Sequence, residues 1–121
     1  MKMHGQRWHY RIGNSLVNID NAFSWLGWAQ ERIIINDEES QQAGGWFGVR
    51  RSFDEPWLTH VGEDELRVTM RSTMFGIACD VFISGELIKP EALFTVSWTG
   101  VRGGWPPEND WLKTDNFFWE A

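Results

Sequence analysis

Between Leu66 and Lys89 the chain reads LRVTMRSTMFGIACDVFISGELIK, two runs in which apolar and polar residues alternate. Successive side chains of an extended strand point to opposite faces. Leu66, Val68 and Met70 therefore share one face, with Arg67, Thr69 and Arg71 on the other. In the second run Phe75, Ile77, Cys79, Val81 and Ile83 share a face against Gly76, Ala78, Asp80 and Phe82. The pattern predicts a central hairpin that reverses near Ser72-Thr73, followed by a tight turn at Ser84-Gly85.

The same rhythm recurs on both sides. Trp8 to Ile12 alternates and ends in the turn residues Gly13-Asn14-Ser15, and Leu16 to Asp20 returns with Val17 and Ile19 inward. Residues 20–28 are read as a loop feeding a strand. Glu31 to Asn36 holds Ile33, Ile34 and Ile35, whose branched side chains suit a strand buried on both faces, and Asn36-Asp37 supplies a turn. Polar Glu38 to Ala43 reads as an edge strand. Trp46 to Phe53 alternates again, with Phe47, Val49 and Phe53 inward. Trp57 to Val61 adds a brief strand and Gly62 to Glu65 an acidic turn. After the interruption at Lys89-Pro90-Glu91, Leu93 to Thr99 sets Phe94, Val96 and Trp98 against Thr95, Ser97 and Thr99. Pro106-Pro107 followed by Glu108 and Asp110 predicts a short helix near 107–113. The expected fold is all-β: one antiparallel sandwich of about seven to ten short strands spanning residues 1–121 as a single domain.

The segments GEDELRVTMRSTMFGIACDVFISGELIKP and ERIIINDEES resemble strand and hairpin patterns of the Fas apoptotic inhibitory molecule family. In the first, the FGI-centred strand and the ISGELI turn carry the likeness; in the second, the likeness lies in a hairpin with Asn36-Asp37 at its turn. The resemblance covers about half of the chain, which has the length of one such domain where the animal proteins hold two in tandem; the Trp-rich ends lack a counterpart. It implies an antiparallel sandwich that acts by binding, without known catalytic residues, and it assigns no site residue by residue.

Composition narrows the functions open to such a sandwich. The net charge of −6 and pI near 4.9 argue against nucleic acid and anionic membranes, which reward basic surfaces. The N-terminal MKMHGQRWHYRIG lacks the apolar run of a secretory signal, and no stretch approaches the roughly 20 apolar residues of a membrane span, so a cytoplasmic protein is expected. Cys79, the single cysteine, is read as a buried, inert thiol. His4 and His9, placed near a frayed terminus, and His60 have no ligand partners at zinc-site spacing. His60, Asp64 and Ser72 do not follow a nucleophile-elbow pattern. The acidic clusters at residues 37–39, 63–65 and 108–110 fall in turns, as solvated loop charge. No Walker loop is present. The expectation is a non-catalytic module with no cofactor and no metal.

The unusual feature is tryptophan, nine in all. Most are read as core or edge cover. Trp25, Trp28, Trp46 and Trp105 are candidates for an exposed aromatic surface, and Phe117, Phe118 and Trp119 either close the sandwich or dock on another chain. Such surfaces serve protein contact, including homodimer formation, or alternatively the flat faces of a glycan.

Overall fold

A computed structural model describes residues 1–46, 56–73 and 76–115. Among these residues ten strands make up two antiparallel sheets. The larger runs in the order β10-β9-β1-β2-β3-β4, where β1 is Lys2–Ile12, β2 Ser15–Phe23, β3 Trp28–Ile35, β4 Glu38–Trp46, β9 Ala92–Thr99 and β10 Leu112–Thr114. The smaller runs β5-β6-β7-β8, from Trp57–Val61, Asp64–Thr73, Gly76–Ile83 and Glu86–Ile88. The anticipated β-sandwich is what forms. Trp8, Tyr10, Val17, Ile19 and Ile33 of the larger sheet pack on Val61, Leu66, Val68, Met70, Ile77 and Val81 of the smaller.

Turn chemistry sets the register. Asn36 and Asp37 take φ of 50° and 68°, and Ser84 and Gly85 take 47° and 84°. These are the left-handed values that let a two-residue loop follow the twist of a hairpin. Ile35 is thereby set opposite Glu38 and Ile83 opposite Glu86. The polar strand β4 lies at the sheet edge as expected.

Several boundaries differ from the sequence reading. The N-terminal residues are not a frayed end: β1 begins at Lys2 and lies between β2 and β9. The loop expected over 20–28 is strand to Phe23 and again from Trp28, with a tight turn between. The central hairpin does not reverse at Ser72-Thr73, since Thr73 still pairs with Gly76. In the last two cases the extended ladder continues through residues whose local propensity favours a turn, and in the first the pairing with β2 and β9 fixes the terminus. The helix expected near 107–113 reduces to a three-residue 3₁₀ turn, Glu108–Asp110, after which the chain re-enters the sheet as β10. The alternating run beyond Trp46, and Phe117, Phe118 and Trp119, lie outside the described residues.

Candidate functional site

The outer face of the larger sheet, turned away from the sandwich core, carries a rung of charge. Register places Arg7, Asp20 and Arg32 side by side on β1, β2 and β3. Asp20 is fully buried and the two arginines are 5% and 9% exposed. Arg7 donates from Nε and Nη2 to the two Asp20 oxygens at 2.6 and 2.8 Å, a bidentate fork. Arg32 Nε donates to Asp20 Oδ2 at 2.9 Å. Two cations on one carboxylate leave an excess of positive charge. Glu108 supplies the balance: it accepts from Arg7 Nη1 at 2.6 Å and stands 3.8 Å from Arg32 Nη2.

Glu108 belongs to residues 100–111, which run as a strap across this face. Trp111 lies on the Arg7 guanidinium at 4.4 Å and Trp105 on that of Arg32 at 4.3 Å, cation–π contacts that cover both charges. Trp105 also stacks on Trp98 of β9. Gln30 staples the strap from below. Its Oε1 accepts from Trp28 Nε1 and from the Gly103 backbone, each at 2.8 Å, and its Nε2 donates to the Gly104 carbonyl at 2.6 Å. Burial works against the Arg7 charge, but the hydrogen bonds to Asp20 and Glu108 outweigh it and raise its pKa. The Arg7 hydrogen bond holds the Glu108 carboxyl below its ordinary value, against the opposing effect of partial burial.

Where the strap meets β4 a groove of about 240 Å³ opens, walled by Trp28, Trp105, Gln42, Gly44 and Arg102. Gly44 keeps this wall close, since a Cβ would stand 3.1 Å from Trp28 Cζ2 and press on that ring. Trp28 and Trp105, both expected on an aromatic surface, are thus brought together. Trp25 is separate, at the tip of the β2–β3 turn. It is 75% exposed and Leu26 beside it 74%. The turn that carries them is tied by Ser24 N–H to the Trp28 carbonyl at 2.8 Å, Gly27 N–H to the Ser24 carbonyl at 3.0 Å and Leu26 N–H to Ser24 Oγ at 3.2 Å. The Trp25 ring meets Phe23 edge-on at 5.1 Å and His4 at 6.0 Å. The side chain of Trp46 and residues Phe117, Phe118 and Trp119 fall outside the described residues.

His60 sits exposed on β5 opposite Glu65, while His4 approaches Ser97 Oγ and His9 approaches Asn18 Oδ1, so the histidines do not converge. Among the described residues no group of three or more histidine, cysteine or acidic side chains is placed to hold a metal, and no helix is long and apolar enough to cross a membrane. Cys79 packs half-buried against the core. Sequence reasoning missed Arg7, Asp20, Arg32, Gln30 and Glu108. The available signal was polar residues standing opposite one another in adjacent strands, legible only once the register is known. In comparisons with known proteins, no family model, curated protein or solved structure matches this chain.

Proposed function

We propose that this chain is a non-catalytic binding module that contacts another protein through the Trp25-Leu26 tip. The supporting observation is the tip itself: two large apolar side chains, each about three-quarters exposed, held on a turn tied by three hydrogen bonds. A rigid, exposed tryptophan loses little entropy on binding and offers a large contact area, the profile of an interface anchor. Its test is a photo-crosslinking amino acid installed in place of Trp25 in the expressing cell, with the exposed Leu87 position as control. Discrete protein adducts at position 25 that disappear with Leu26→Asp are expected. The same adducts from both positions, or none at 25, would remove the reading.

A second reading rests on the groove. Trp28 and Trp105 line one small concavity with Gln42 and Arg102, and among the described residues its lining holds no carboxylate. Indole faces beside amide and guanidinium donors suit a sugar ring. Titration of tryptophan fluorescence against a glycan panel tests it, and an unchanged spectrum throughout counts against it.

A further inference from the structure

The two residues just beyond one end of the β1·β9 ladder, Met1 and Gly100, reveal which way the backbone of β9 faces. Gly100 N–H donates to the Met1 carbonyl at 3.0 Å, and the Met1 amine donates to the Gly100 carbonyl at 2.8 Å. These two residues therefore form a mutually bonded pair. The register continues without a break from Lys2↔Thr99 to His9↔Ala92, and in an antiparallel ladder bonded pairs alternate with unbonded ones. Met3–Trp98 and Gly5–Val96 are then the next bonded pairs. Thr95, Ser97 and Thr99 direct their N–H and C=O groups the other way, toward the far edge.

On that edge β10 accompanies β9 only over Leu93, Phe94 and Thr95, ending at Thr95↔Leu112. Continued two residues further, the register would set Asp110 opposite Ser97. Asp110 is not available, because its N–H is bonded to the Pro107 carbonyl within the 3₁₀ turn. No other backbone hydrogen bond among the described residues reaches the outward groups of Ser97 and Thr99. Beside them, Ser97 lines a groove of about 540 Å³ together with Thr95, Val96, Asn109, Asp110 and Leu112. Among the described residues its lining holds one carboxylate and no basic side chain. Leu112, 66% exposed, offers it an apolar wall.

We propose that this unpaired edge of β9 receives an extended, basic peptide segment, which joins the six-stranded sheet as a further strand by backbone pairing to Ser97 and Thr99. An open edge with a groove beside it is the physical requirement for strand addition. Charge selects the occupant: Asp110 in the lining and a net charge of −6 attract lysine and arginine. They oppose a second copy of this chain, which would bring Asp110 and like net charge to the same edge. The inference rests on the reading of the chain as a protein-contact module but uses a surface distinct from the Trp25-Leu26 tip.

Three synthetic peptides of about six residues, long enough to span the open edge, test it: alternating lysine and valine, alternating glutamate and valine, and the lysine peptide N-methylated at alternate amides. Binding is followed by fluorescence anisotropy and by amide hydrogen exchange across residues 95–100. The lysine peptide is expected to bind and to slow exchange at Ser97 and Thr99. The other two should bind at least about tenfold more weakly, and Asp110→Lys should reverse the preference between the lysine and glutamate peptides. Equal binding of the N-methylated peptide would overturn the proposal by showing charge attraction without backbone pairing. So would unchanged exchange at Ser97 and Thr99, or protection that appears with protein concentration alone and marks a second copy. Since the readout is at these two amides, its failure leaves the crosslinking result at position 25 untouched.

Discussion

Arg7 and Glu108, 101 positions apart in the sequence, meet through a 2.6 Å hydrogen bond, and that contact fastens the strap to the outer face of the larger sheet. Arg7 is held rigidly by Asp20 beneath and by Trp111 above, whereas the Glu108 side chain is 61% exposed. The exposed partner is therefore the one that can let go.

Acid should loosen the strap. The folded-state pKa of Glu108 lies below its ordinary value of 4.5, so its contribution is present above that value and is lost as pH falls through the depressed one. Because the carboxylate is largely solvated, the contribution is about 1 kcal/mol or less. Urea denaturation of the wild type and Glu108→Gln across pH 7 to 2 checks this. The wild type should be the more stable at pH 7, and the gap should close below pH 4.5.

Loss of Asp20 should be far more damaging than loss of Glu108. Asp20→Asn leaves Arg7 and Arg32 buried side by side without the carboxylate that both grip. Breaking a buried ion cluster in this way costs about 3–5 kcal/mol. The midpoint of a denaturation curve at neutral pH measures it, and a loss similar to that of Glu108→Gln would show that the arginines find other partners.

Gly5 should not tolerate a side chain. A Cβ there would lie 2.8 Å from Val96 Cγ1, 3.1 Å from Trp111 Cη2 and 3.2 Å from Trp98 Cζ3, where the strap meets the sheet. Gly5→Ala should therefore destabilise by about 1–3 kcal/mol, the usual cost of overpacking. Thermal unfolding compared with Gly13→Ala, whose site has open space but positive φ, separates crowding from backbone strain: only Gly5→Ala should disturb the fluorescence of the strap tryptophans.

Tyr10, the one tyrosine of the chain, makes its own titration a probe of folding. Burial raises its phenol pKa far above the ordinary 10, assisted by the Cys79 thiol beside it and by the charge of Asp80. Its stabilising contribution is complete below the unfolded value and declines as alkali rises above it. Absorbance at the tyrosinate band should stay flat beyond pH 10 and rise only with the loss of the folded circular dichroism signal. A rise that precedes unfolding would place the ring in contact with solvent.

How far the sequence disclosed this molecule depended on whether a residue answers to its chain neighbours or to distant ones. Val17, Ile19, Leu66, Val68 and Val81 follow a two-residue rhythm, and all are buried where that rhythm puts them. Asn36-Asp37 and Ser84-Gly85 announce their turns through local backbone preference. Arg7 follows the same rhythm, which places it on the outward face. Nothing near it in sequence shows that residues 100–111 will roof that face, so it looks wet. Glu108 likewise reads as loop charge because its partner lies at the other end of the chain. Trp28 and Trp105 were legible as a residue type suited to binding, but their shared groove required the strap to cross β3 and β4.

The pairing of β1 with β9 also bears on how quickly the native state can be reached. The β2–β3–β4 and β5–β8 hairpins close over short distances. The centre of the larger sheet instead joins positions such as His4 and Ser97, separated by 93 residues. Contacts so distant slow folding, because a long loop must close before they reward it. A chain emerging from the ribosome can assemble its smaller sheet while β1 still lacks one neighbour, leaving an incomplete layer with an open edge that is prone to wrong association until β9 is synthesised.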